Sequence, residues 1–274
     1  MMPSIDSVRP SPSAPQRVVI NMAVLLVAAA CCSTDNAPAV AAKPEASSQP
    51  AQSAQPEKPA QPQRRVPRSI EGFTVLVDDR LLAGGSEAAT GSEALAFLAA
   101  KLAEIRIVLP ADKLAALRKV TIVLDAGCGD LKAMQYHPSG DWLESHGYPR
   151  SLEKCVHMPR AVDVATRRNI TEQPWVVLHE LAHAYHDQVL GFDEPRIRAA
   201  WQAFKDDGRG ERALLYDGSR VKHYGLTDQK EFFAEMTESF FGVNDFSPFN
   251  RAELKTDFPE LYALLEEIWG PIRR

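Results

Sequence analysis

The chain has 274 residues, 45% of them hydrophobic and 24% charged, with a net charge of −5. This suits a soluble globular protein with a real core. The acidic balance argues against a nucleic-acid partner, because phosphate binding needs clustered Lys and Arg.

The composition is uneven. Residues 1–68 hold eleven of the twenty prolines and no aromatic residue, whereas residues 69–274 hold every Trp, Phe, Tyr and His. Residues 69–274 are therefore the folding unit, about the length of one domain. Ahead of it, Arg9 and Arg17 precede an apolar run from Val18 to Ala30, broken only by Asn21 and ending in small residues before Cys31. This reads residues 1–32 as a secretory signal peptide, too short to span a bilayer comfortably. Small residues directly before a cysteine also resemble a lipoprotein signal, with Cys31 or Cys32 acylated and the protein tethered to a membrane. Ala28 or Ala29 stands where that pattern usually has Leu. Residues 33–68 lack apolar periodicity and read as a disordered Pro/Ala/Gln-rich linker. The expected location is outside the cytoplasm: secreted, periplasmic or lipid-anchored at the cell envelope. Export favours a Cys128–Cys155 disulfide closing the loop that carries Tyr136 to Tyr148; the alternative is two free thiols.

Within the folding unit, Phe73 to Val77 reads as a strand and residues 92–108 follow helical spacing after Gly91-Ser92. Pro110 ends that helix, and a short one follows from Asp112 to Leu117. Val120 to Leu124 is β-branched and apolar, a buried strand. The stretch from Gly127 to Pro159 reads as irregular, with an edge strand near Cys155–Met158. Helices are predicted over 174–190, 195–206, 228–241 and 258–269, with Gly191 and Gly242 at their C-caps. Strands first and helices later give an α+β class: a single domain with a small mixed sheet followed by a mainly helical part.

The string PWVVLHELAHAYHDQVLG, residues 174–191, contains His179, Glu180 and His183 in an HExxH spacing. Two histidines at i and i+4 share a helix face and can reach one metal ion, while the adjacent glutamate can contact a metal-bound water. At about 100° per residue, His179, Glu180, His183, His186 and Asp187 fall within an arc of roughly 120°, and the rest of the circumference is mainly apolar. Burying these polar groups together is costly unless they bind something. A catalytic zinc site needs a third protein ligand. The metzincin pattern is excluded, since it would require Gly at 186 and His at 189, where His186 and Val189 stand. A glutamate from a later helix remains, and Glu231, Glu235 and Glu238 share one face of an otherwise apolar helix in TDQKEFFAEMTESFFG, residues 227–242.

An HExxH helix followed by a distal Glu-x-x-x-Glu helix resembles the gluzincin arrangement. The wording HYGLTDQKEFFAE, with Tyr224-Gly225 seven residues before Glu231, resembles the catalytic domain of anthrax lethal factor and its relatives. The similarity covers residues 174–241 and implies a zincin-like fold and a zinc-dependent metallopeptidase acting on a peptide or protein. It implies Glu231 as third zinc ligand, Glu235 as a carboxylate hydrogen-bonding a ligand histidine, and Tyr224 as a hydroxyl donor to the oxyanion of the reaction. Glu180 is the expected general base. His186 has no assigned role. Two other readings use the same residues: a zinc hydrolase of another amide, as in a cell-wall peptide, and a binding domain with a silent metal site. Glu180 argues against the last, because binding needs only ligands whereas turnover needs the base.

Overall fold

A computed structural model describes residues 61–272; the segment 1–32 and most of the linker lie outside the described residues. The first strand, β1 (Arg65–Ile70), begins inside the stretch assigned to the linker. Its exposed residues are Pro67, Arg68 and Ser69, as suits an outer strand, so composition alone hid it. A tight turn leads into β2 (Phe73–Asp78), which buries Phe73, Val75 and Val77 completely.

The first helix, α1 (Ala88–Val108), starts four residues earlier than its spacing suggested. Gly91 is an interior contact rather than a helix start, because a Cβ there would stand 1.9 Å from the Leu81 carbonyl oxygen. After α2 (Ala111–Leu117) come β3 (Ile122–Leu124), β4 (Gln135–Tyr136), α3 (Gly140–Ser145) and β5 (Val156–Met158). The five strands form one mixed sheet in the order β1-β2-β3-β5-β4. Pairs β2–β3 and β3–β5 are parallel, and the two outer pairs antiparallel. The Cys155–Met158 strand is therefore internal. The edge on that side belongs to β4, which lies in the stretch read as irregular.

Side chains alternate across the sheet. One face joins the main core through Val75, Ile122, Leu124, Val156 and Met158. The other carries Val123, Cys128, Leu143, Leu152 and Cys155. A buried polar chain crosses this second face. Arg65 holds both oxygens of Asp125 at 2.7 Å; His157 Nε2 donates to Asp125 at 2.8 Å, and His157 Nδ1 shares a hydrogen bond with His137 Nε2 at 3.1 Å. The anticipated disulfide is not formed: Cys128 and Cys155 are free thiols. The Cys155 thiol lies 3.6 Å from the Ser151 and Glu153 carbonyls, while Cys128 sits beside Asp125 and Arg65. Burial pushes both thiols up to about 11, so neither is a ready thiolate.

The helical half begins with α4 (Val176–Tyr185), continued by a wider turn over His186–Leu190. Then come α5 (Pro195–Asp207), a small hairpin of β6 (Ala213–Leu214) and β7 (Arg220–Val221), α6 (Gln229–Phe241), α7 (Arg251–Asp257) and α8 (Pro259–Trp269). Trp269 is fully buried, its ring 4.5 Å from Tyr185 and 5.8 Å from Phe233, so α8 wedges α4 against α6. Gly242 closes α6, but not by left-handed backbone, since its φ is −148°. A Cβ there would lie 1.9 Å from the Trp175 indole, so the glycine lets the end of α6 meet the start of α4. The whole is the α+β, single zincin-like domain anticipated from the sequence. Among the described residues no helix is long and apolar enough to cross a membrane.

Three histidines are buried without a charge partner. His186 lies between Phe192 and Phe233 with neither ring nitrogen hydrogen-bonded, and burial pushes its pKa down to about 4. Burial does the same to His137 and His223, also to about 4. Such a group is neutral in the folded state and takes up a proton on unfolding below its ordinary value. Its stabilising share is complete above about pH 6.5 and is lost as pH falls toward 4. For His186→Leu, in protein treated with a chelator, stability relative to the parent should rise by about 2 kcal/mol between pH 8 and pH 5. Urea unfolding at both values checks this; an unchanged difference would remove the protonation account.

Candidate metal centre

Every side chain of α4 from Val176 to Tyr185 is buried, including His179, Glu180 and His183. On α6 the run from Phe232 to Phe241 is equally buried. Asp228 caps α6 by accepting from the Lys230 and Glu231 amides, at 2.8 and 3.0 Å. Ten consecutive buried positions on each of two packed helices leave their polar residues to face one another. The five-residue motif on α4 and the acidic stripe on α6 therefore meet.

The meeting is atomic. Glu231 Oε2 lies 3.2 Å from His179 Nε2 and 3.3 Å from His183 Nε2. On the far side of its ring, His179 Nδ1 is 2.7 Å from Glu238 Oε1. A carboxylate only accepts, so Nδ1 carries the proton and Nε2 of the neutral ring presents a lone pair. That nitrogen faces a Glu231 oxygen at 3.2 Å, so a proton or a metal cation belongs between them. The spacing suits a metal. Tetrahedral ligands at 2.0–2.1 Å are separated by about 3.3 Å, as the pairs here are. His179, His183 and Glu231 offer their three ligand atoms within 4.8 Å of one another.

Without a metal, a proton takes that place. Burial works against a charged His179, but Glu231 and Glu238 outweigh it and hold its pKa well above the ordinary value. Burial would raise Glu231, yet the two imidazoles keep it far below the usual carboxylate range. Glu180 goes the other way: burial raises it, opposed by the two histidines and by the Tyr136 amide, which donates to Oε2 at 2.7 Å.

Glu235 departs from the role the resemblance implies. Its Oε1 is 3.7 Å from His179 Nδ1, beyond hydrogen-bond range, and Glu238 makes that bond instead. Gln173 Nε2 donates to the same Glu238 oxygen at 3.3 Å. Glu235 is packed behind the pair, where burial and the Glu238 charge push its carboxyl well above the ordinary range. Both glutamates face His179; the three-residue step from 235 to 238 decides which one reaches it. Tyr224 is 49% exposed at the rim. Burial of its hydroxyl, then the Glu231 charge, raises its pKa, which keeps it a proton donor. Its loop is fixed by His223, which is buried rather than solvated. His223 Nδ1 accepts from the Gly225 amide at 2.9 Å and its ring stacks on Phe246. Trp201 Nε1 donates to the Gly225 carbonyl at 3.0 Å. Asp187 is not a free surface charge either, because Tyr136 and Lys154 both donate to it. No local sequence signal marks Tyr136, since its partners lie 44 and 51 residues away.

A second group, Asp125, Cys128 and His157, also has its ligand atoms within 4.8 Å of one another. There the Arg65 guanidinium already sits on both Asp125 oxygens and takes the cation's place.

Residues 160–269 match the family described as glucose-regulated metallo-peptidase M90. The matched stretch contains α4, the Tyr224 loop and α6, and the match supports a metallopeptidase with a divalent metal. No curated protein and no solved structure matches the chain.

The Glu238 bond gives a test. Glu238→Gln should weaken metal binding about 10–100-fold, whereas Glu235→Gln should weaken it much less. Competition titration with a chromophoric chelator reads both; the opposite order would return the histidine-orienting role to Glu235.

Proposed function

We propose that this protein is a zinc-dependent metallopeptidase that hydrolyses peptide bonds, with His179, His183 and Glu231 as metal ligands and Glu180 as general base. The observation that carries the proposal is the Glu231 oxygen lying 3.2 and 3.3 Å from the Nε2 atoms of His179 and His183, while the His179 Nδ1 proton is committed to Glu238. Two nitrogens and one carboxylate oxygen form the donor set of a catalytic zinc site, with one position left for water or substrate. The metallopeptidase match and the resemblance of HYGLTDQKEFFAE to the lethal-factor catalytic domain support the same reading.

His179, His183 and Glu231 would hold the zinc, which would supply Lewis-acid chemistry toward a water and the scissile carbonyl. The chain's own residues do the rest. Glu180, its basicity raised by burial, accepts a proton from the attacking water. It then delivers that proton to the leaving amine as the C–N bond breaks. Tyr224, protonated and at the rim, donates its hydroxyl to the developing oxyanion. Glu238 holds the His179 ring in the tautomer that keeps Nε2 available. The signal-like residues 1–32 and the linker after them support action outside the cytoplasm, on a tether if Cys31 or Cys32 is acylated.

Glu180→Gln should keep one zinc per chain and lose hydrolysis of a quenched-peptide library by at least about 10²-fold. Tyr224→Phe should lower kcat by about 10²-fold with zinc retained. Metal analysis beside the cleavage assay checks both. Normal turnover by Glu180→Gln would remove the mechanism.

A further inference from the structure

We propose that Tyr136, Asp187 and Lys154 form a clip that fastens the outer strand β4 to the active-site helix at two levels and thereby positions Glu180. The proposal rests on the reading of Glu180 as general base.

The outer position of β4 is what makes the clip available. In an antiparallel pair, successive residues point their peptide groups alternately toward and away from the partner strand. His137 bonds the segment entering β5 through both groups, its amide donating to the Cys155 carbonyl at 3.0 Å and its carbonyl accepting from the Lys154 amide at 2.7 Å. The Tyr136 amide accordingly points away from β5, to the free edge of the sheet. What it meets there is Glu180 Oε2, at 2.7 Å.

The same residue touches the helix again. Its ring is buried, and its hydroxyl donates to Asp187 Oδ2 at 2.6 Å. Lys154 Nζ reaches that oxygen at 2.5 Å, and Gln188 Nε2 donates to the Tyr136 hydroxyl at 3.1 Å. Glu180 and Asp187 are seven residues apart, so they share a helix face about 10 Å apart along the axis. A two-residue strand resting on one amide bond would be a loose hold. The second contact is charge-assisted and only 14% of the Asp187 side chain is exposed, which makes it stronger than a surface ion pair. Lys154 also adopts φ 59°, in the left-handed region that a lysine rarely enters. That strained backbone sits where the side chain reaches Asp187, and Gln188 holds its carbonyl at 3.3 Å.

The consequence is chemical. With Oε2 held by the Tyr136 amide, Glu180 has Oε1 to offer to a water, in one fixed orientation. Displacing a catalytic group by about 1 Å can cost up to 10²-fold in rate. Tyr136, Asp187 and Lys154 therefore act through Glu180 and are positioning residues, not catalytic ones.

The test uses the full-length, zinc-loaded protein and a quenched fluorescent peptide chosen from the cleavage library. Tyr136→Phe and Asp187→Ala should each lower kcat about 3–30-fold with KM and zinc content unchanged. Asp187→Asn, which still accepts from the tyrosine hydroxyl, should recover part of the loss. The double variant Tyr136→Phe/Asp187→Ala should be no slower than the slower single variant, since both break one contact. Independently of turnover, amide hydrogen exchange at residue 136 should quicken at least tenfold in both single variants of the metal-free protein. Unchanged kcat and exchange, additive losses, or a rise in KM alone would each overturn the clip. Glu180→Gln separates the two readings. If it hydrolyses peptide normally, the general-base assignment fails; if it is inactive while Tyr136→Phe and Asp187→Ala match the parent, only the clip fails.

Discussion

The structure depends on one constraint: two helices buried along ten consecutive residues each carry ionisable groups into their shared interface. Such groups cannot be left unpaired in a medium of low polarity. On α4 the cost falls on two histidines and a glutamate; on α6 it falls on Glu235 and Glu238, with Glu231 partly buried just before them. The arrangement resolves most of it internally. Glu238 takes the proton-bearing side of His179, and Glu231 takes the other side of that ring and the near side of His183. What remains is a set of lone pairs converging on one point, which a divalent cation satisfies and a neutral core could not.

The sheet serves this interface without contributing a ligand to it. Its main-core face backs α1 and α4 with Val, Ile and Leu side chains, and its opposite face is closed by α3 over the Arg65–Asp125–His157–His137 chain. From its outer strand β4, the Tyr136 amide donates to Glu180. Trp269 and the close contact of Gly242 with Trp175 then hold α4 and α6 in register from the other end.

Much of the site was legible in the sequence because helical spacing turns position into direction. The i and i+4 histidines, the acidic stripe on α6 and the buried flanks of both helices needed only a period of 3.6 to be read. The choice between Glu235 and Glu238 as partner of His179 did not follow, since both lie on the facing side and less than a turn separates them. Burial of His223 and the anchoring of Asp187 were hidden for another reason. Their partners come from distant segments: Phe204 and Phe246 for one, Tyr136 and Lys154 for the other. In the fold, β4 and α3 escaped because two and six residues are too few to show a period, and β1 because its charged, proline-bearing pattern resembled the linker before it. The free thiols of Cys128 and Cys155 show the same limit, since spacing along the chain says nothing of where each sulfur points.

X-ray absorption at the zinc edge, on the full-length protein loaded with one equivalent of zinc, tests the central claim most directly. A centre built from His179, His183 and Glu231 should give a four-coordinate shell of nitrogen and oxygen at about 2.0–2.1 Å, with imidazole scattering and no sulfur. A sulfur contribution at about 2.3 Å would instead put the metal at Asp125, Cys128 and His157, and would contradict the account.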